Sequence, residues 1–168
     1  MTNYFLHFTF LLIVSLSLTS CDPDDPVIDN EEEVITTLVY ALDPTDGGTE
    51  VFLIFTDLDG DGGEDPTIMS APLAANTTYN GTLQVINQSD IPNEDVTLEI
   101  MEEEEDHQFF FQSNLSNINI EYNDNDANGD PVGIKSVLTT GEAEIGVLTI
   151  TLKPVSYTHL TLPTILLV

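Results

Sequence analysis

Asp57-Leu58-Asp59-Gly60-Asp61-Gly62-Gly63-Glu64-Asp65 has the residue types and spacing of a cation-binding loop. Asp57, Asp59 and Asp61 stand at positions one, three and five, where alternate side chains of a curled loop turn toward one centre. Gly62 at position six permits a sharp bend, and Asp65 falls at position nine. Calcium takes six to eight hard oxygen ligands in irregular geometry, so this spacing points to Ca²⁺. A second stretch repeats the pattern. Asp124, Asp126 and Asn128 occupy positions one, three and five, with Gly129 at six and Asp130 at seven.

Position twelve of the first loop is Ile68, not the bidentate glutamate of an EF-hand. The stretch therefore resembles the DxDxDG calcium loops of extracellular proteins. The competing reading is a hydrophilic, glycine-rich hairpin loop. It weighs more on the second stretch, because Asn and Asp are also the commonest turn residues. A third constellation is Glu102-Glu103-Glu104-Glu105-Asp106-His107. His107 with Glu105 and Asp106 has the donor set of a transition-metal site such as zinc. Tight zinc sites draw ligands from separate segments, so a solvated acidic loop is the stronger reading there.

No catalytic constellation stands out. Ser/His/Asp hydrolysis would need His107 beside a serine such as Ser113 or Ser116, and no nucleophile-elbow motif is present. Thirty acidic residues always contain carboxylate pairs, but none is singled out, and no tryptophan is available to stack a sugar. Phosphate-binding and dinucleotide glycine motifs are missing from the sequence, so no organic cofactor is expected. The expectation is a protein that is not an enzyme. A net charge of −28 with only Lys135 and Lys153 basic excludes nucleic acid as a partner, since a phosphate backbone needs a basic footprint. Such a body repels itself, and divalent cations relieve that repulsion.

The elements that must position these loops have a period of two. Residues 34–42 and 51–56 are rich in β-branched and aromatic types. Tyr79, Leu83 and Val85 alternate with polar neighbours, as do Ile118, Ile120 and Tyr122. Residues 134–139 and 145–152 flank Thr140-Gly141-Glu142, which reads as a hairpin turn. Residues 96–111 are read as a strand over 96–101, an acidic loop over 102–106 and a strand over 107–112, with a helix capped by Asn93 or Asp95 as the competing form. Seven or eight strands of this spacing predict an all-β fold, an antiparallel β-sandwich, with an immunoglobulin-like arrangement as one option. Its core is expected from Leu38, Tyr40, Leu53, Phe55, Leu83, Val85, Phe109, Phe111, Ile118, Ile120, Leu148 and Ile150. With a single cysteine, no disulfide can staple it.

Leu18-Thr19-Ser20-Cys21 closes an apolar run that starts near Tyr4. Roughly 15 apolar residues suit an export signal and fall short of the ~20 that cross a bilayer. The four residues resemble the lipobox of bacterial lipoproteins, although Met1-Thr2-Asn3 carries no Lys or Arg. The resemblance implies that Cys21 is lipidated and anchors the chain to a membrane. Residues 1–20 are then the signal peptide and 21–33 the lipidated cysteine with an acidic tether. The sandwich occupies 34–153. Acidic residues directly after the cysteine resemble the surface-export signal of Bacteroidota lipoproteins, which implies the outer membrane and its cell-surface side, with a plain acidic linker on the periplasm-facing side as the alternative. The last segment, 154–168, holds no charged residue, and residues 155–164 resemble a translated sequencing adapter. It is read as a non-native tail, with a genuine apolar last strand as the alternative, and His159 is assigned no site.

The lipobox, the acidic leader, Phe55-Thr56-Asp57-Leu58-Asp59-Gly60-Asp61-Gly62-Gly63, the acidic run into His107-Gln108-Phe109-Phe110-Phe111, and Gly146-Val147-Leu148-Thr149-Ile150-Thr151-Leu152-Lys153 together resemble a group of acidic flavobacterial lipoproteins. Some of that group carry the label of a type 1 periplasmic binding fold, an α/β architecture that this β-rich pattern contradicts. The resemblance implies no activity or ligand. Two roles are expected. One is a calcium-stabilised binding or accessory module for a ligand, for metal ions or for an outer-membrane transporter. The other is a structural or adhesive surface protein in which calcium only rigidifies loops.

Overall fold

Tyr40 organises the centre of the molecule. Its ring lies across the adjacent strand at Gly81, and its hydroxyl bonds the Ser136 hydroxyl at 2.7 Å in the buried interior. A Cβ at Gly81 would stand 2.5 Å from the Ser136 Oγ and 2.6 Å from the Tyr40 ring, so only glycine admits this crossing. The computed structural model describes residues 34–60, 63–89, 91–154 and, for the backbone alone, 164–167. All of these belong to one compact unit, Glu33–Val168, whose core cluster draws only on residues within it.

The chain is mostly antiparallel β-sheet in two sheets. The strands are β1 (Thr37–Pro44), β2 (Val51–Thr56), β3 (Thr67–Ser70), β4 (Thr78–Asn87), β5 (Glu94–Asp95), β6 (His107–Ser113), β7 (Ile118–Tyr122), β8 (Lys135–Thr140), β9 (Gly146–Pro154) and β10 (Thr164–Leu167). One short helix, α1 (Thr97–Glu102), lies between β5 and β6. The larger sheet runs β3-β2-β1-β4-β8-β7, with β5 paired to the end of β4. The smaller runs β10-β9-β6.

Alternation decides which face is buried. Along β4, Tyr79, Gly81, Leu83 and Val85 turn inward while Asn80, Thr82 and Gln84 face solvent. Leu38, Tyr40, Leu42 and Leu53 continue that inner face, and Phe109, Leu148, Ile150 and Leu152 oppose it from the smaller sheet. Each such side chain contributes about 1.5–3 kcal/mol on burial. Of the expected core, Phe111, Ile118 and Ile120 are only partly buried against this cluster, and Leu42, Tyr79, Ile100 and Leu138 join it.

Two sequence expectations need correction. Residues 97–102 are helix, not strand. The edge of β4 that a strand would cover is already taken by β8 and β5. Between them the Thr97 hydroxyl accepts the Val85 N–H at 2.9 Å and donates to the Val85 carbonyl at 3.2 Å, standing in for a strand partner. Asp95 accepts the Thr97 N–H at 3.2 Å, and Leu, Glu and Met have good helix propensity. As a helix, the segment buries Thr97 and Ile100 and turns Leu98 and Met101 outward.

The second correction concerns residues 140–142, which do not form a hairpin. β8 pairs with β4 and β7, whereas β9 pairs with β6 and β10, so residues 141–145 cross from one sheet to the other. Ser136 and Leu138 therefore face Leu148 and Ile150 from opposite sides of one core. β3 had no periodic signal because all four of its residues are exposed. β10 pairs Thr164–Leu167 with Gly146–Thr149 of β9, within the segment read from sequence as a tail.

Candidate functional site

The registers place both DxDx loops at one end of the sandwich. Thr56 at the end of β2, Ile86 near the end of β4, and Lys135 at the start of β8 all lie toward that end. Residues 57–60, 63–66, 88–89, 91–93 and 123–134 emerge there, joined by the acidic turn 103–106 leading into β6. Residues 45–50, 71–77, 114–117 and 141–145 form the opposite end. Asp57, Asp59, Glu64, Asp65, Glu103, Glu104, Glu105, Asp106, Asp124, Asp126 and Asp130 thus gather at the first end. The loops of the second hold Asp46, Glu50, Glu142 and Glu144.

The first loop joins β2 to β3. The Gly60 N–H donates to Asp57 Oδ1 at 2.9 Å, and the Glu64 N–H donates to Asp59 Oδ2 at 2.9 Å. The Asp59 carboxylate lies against Gly63, so a side chain at that position would displace it. Asp57 and Asp59 are therefore held by the loop's own backbone, with lone pairs left over, since an ionised carboxylate accepts about four hydrogen bonds. Asp65 is exposed, and Asp61 and Gly62 lie outside the described residues.

The second loop joins β7 to β8 and folds on itself more tightly. Asp124 accepts the Gly133 N–H on Oδ1 at 2.8 Å and the Lys135 N–H on Oδ2 at 2.7 Å, closing the base of the loop. Asp126 Oδ1 accepts the N–H groups of Asn128 at 2.9 Å and Asp130 at 2.8 Å. Gly129 takes φ +94 at the bend, the conformation that the position-six glycine was expected to supply. Asn128 and Asp130 are exposed.

The two loops are separate features rather than halves of one site. β1 and β4 stand between their parent strands, and the roots at Thr56 and Lys135 are also offset along β4. At ~4.8 Å per strand step, the roots are roughly 15 Å apart or more. Among the described residues, no group of three His, Cys, Asp or Glu side chains converges to hold a metal ion. The same geometry applies to His107, Glu105 and Asp106. His107 is buried at the start of β6, its Nδ1 3.1 Å from the Glu103 carbonyl, while Glu105 and Asp106 face solvent. Cys21, with the rest of residues 1–33, lies outside the described residues.

Sequence reasoning missed a groove on the outer face of the larger sheet. Its volume is about 320 Å³, and Val39, Ala41, Phe52, Leu98 and Met101 line it beside Asp95 and Lys135. The outward alternation of β1 and β2 is its only sequence signal. The Leu98 and Met101 contribution depends on the helix. Tyr40, beneath the sheet, has its hydroxyl pKa pushed up to about 12 by burial, partly offset by the Ser136 hydrogen bond. Burial, with the Asp124 charge nearby, also raises Tyr122. No family model, curated protein or solved structure matches this chain.

Proposed function

We infer that this chain is a lipid-anchored outer-membrane protein, one of the acidic flavobacterial lipoproteins, whose β-sandwich works as a surface binding or accessory module stiffened by calcium. The observation that carries the calcium part is the gathering of two DxDx loops and the acidic turn 103–106 at one end of the sandwich. Carboxylates within one loop repel one another, and a divalent cation removes that repulsion while adding bonds of 2.3–2.6 Å. The first loop is the better candidate. Asp57 and Asp59 each accept a single described backbone bond, whereas Asp124 uses both oxygens to close its own loop. Cys21 supplies the anchor and residues 22–33 the tether.

The self-closing of Asp124 favours a second reading for the other loop, a structural turn with no ion. In that case the protein has a structural or adhesive role, and calcium rigidifies at most one loop. Two experiments test the proposal. Metabolic labelling with palmitate should mark the wild-type chain and leave Cys21→Ser unlabelled; label on both would remove the anchor. Calorimetric titration with Ca²⁺ should give a binding isotherm that Mg²⁺ does not reproduce. Equal heats from both ions would reduce the acidic end to unspecific charge screening.

A further inference from the structure

We propose that the outer-face groove is a docking site for a cationic amphipathic peptide segment of a partner protein. Monomeric surfaces seldom leave large apolar side chains grouped without use. Here Phe52 is 44% exposed, Met101 49% and Leu98 61%, all on one groove. They meet there for a structural reason. α1 plugs the gap in the sheet beside Val85, so its inner side joins the core through Ile100 while Leu98 and Met101 border the outer face of β1 and β2. A volume of about 320 Å³ accommodates several side chains and is within the range of ligand clefts. Methionine, unbranched and polarizable, adapts to varied apolar partners.

Charge selects the occupant. With a net charge of −28, two copies of this chain repel across any shared face, and an anionic lipid surface is repelled in the same way. A cationic segment is attracted. Asp95 lines the groove, and Glu102 follows Leu98 by one helical turn, so basic side chains beside an apolar stripe would meet acids at the rim. Lys135, the one cation on the groove, stands at its β8 end and rejects a basic group there. Bound segments are therefore oriented with their positive charges toward Asp95. This mode, an apolar face in a groove with charges at its edge, is a recurrent form of peptide recognition.

The test uses the compact unit Glu33–Val168 in EDTA, so that it does not depend on calcium or on the anchor. The probe is a synthetic Leu/Lys amphipathic peptide of about 18 residues, five helical turns, carrying one tryptophan. The protein has none, so the indole emission reports the peptide alone. Saturable binding with a blue-shifted emission is expected, and a Leu/Ser peptide of the same length should bind far more weakly. Phe52→Ser and Met101→Ser leave the net charge unchanged and should each weaken binding about tenfold, while Lys135→Glu should tighten it. Matching melting temperatures confirm that the variants fold. Undiminished binding by Phe52→Ser and Met101→Ser would reduce the attraction to charge alone and overturn the proposal. So would a failure of the wild-type unit to bind, or a peptide-free dimer abolished by Phe52→Ser.

Discussion

The two ends of the sandwich are built on different principles. At the end formed by residues 71–77, 114–117 and 141–145, the turns are fastened to one another. The Asn76 N–H donates to the Gly141 carbonyl at 2.8 Å, and the Thr140 hydroxyl donates to the Ala74 carbonyl at 2.7 Å. Asn114 accepts the Val147 N–H at 2.7 Å, and the Glu144 carboxylate takes both the N–H and the hydroxyl of Ser116 at 3.0 Å. At the acidic end the loop carboxylates bond within their own loops: Asp57 to Gly60, Asp59 to Glu64, Asp126 to Asn128 and Asp130. One end is braced by side chains that reach from turn to turn. At the other the loops reach their neighbours through backbone bonds, the Asp57 N–H to the Thr36 carbonyl at 2.8 Å and the Phe109 N–H to the Val132 carbonyl at 2.7 Å, while the carboxylates within each loop repel one another. Position-dependent self-repulsion of this kind is what an added cation can switch off.

The largest expected effect belongs to the core that both ends share. The buried Tyr40 keeps its proton up to about pH 12, whereas an unfolded tyrosine loses it near 10. Between these values the folded state binds more protons than the unfolded one. The associated stability is therefore complete below pH 10 and lost as pH rises toward 12. The span corresponds to about 3 kcal/mol, and Tyr122 adds to it in the same direction. Urea unfolding across this range should show the fall in wild type and a shallower one in Tyr40→Phe. A parallel fall in the variant would place the titration elsewhere.

Next in size is Asp124→Ala, which strips the acceptor from two backbone N–H groups and opens the base of the second loop. A loss of about 2 kcal/mol is expected from urea melts, with little change in the response to Ca²⁺. A Ca²⁺ response that vanished with Asp124 would move the ion from the first loop to the second. The smallest effect falls at the braced end. Glu144→Ala removes two bonds that are exposed to water, and about 0.5–1 kcal/mol is expected. A loss as large as that of Asp124→Ala would erase the distinction between the ends.

The layered β architecture was legible because inward positions alternate: Leu38, Tyr40, Leu53, Leu83, Val85, Leu148 and Ile150 were all readable from sequence and are buried. What escaped was decided by tertiary context. Val96, Leu98 and Ile100 alternate as a strand would, yet the Thr97 hydroxyl takes over the open stretch of β4 and the segment coils. Thr140-Gly141-Glu142 has turn chemistry, but local turn residues do not say which sheet the next strand enters. β3, exposed at all four residues, has no inward-facing position to betray it. The DxDx spacing of the loops was plain in the sequence. Their separation across β1 and β4 follows only from the strand order, and Asp61 lies outside the described residues. The groove had only the outward alternation of β1 and β2 as a signal, and its Leu98 and Met101 wall depended on the helix.

Thermal melts in about 1 mM Ca²⁺ or Mg²⁺, a concentration near the affinity of extracellular calcium modules, address the acidic end most directly. The comparison is wild type against a double variant, Asp59→Asn with Asp61→Asn. Calcium should raise the wild-type melting temperature by several degrees more than magnesium does, and the double variant should show only the magnesium-sized shift. A double variant that keeps the full calcium shift, or a wild type that responds equally to both ions, would contradict a specific site in the first loop.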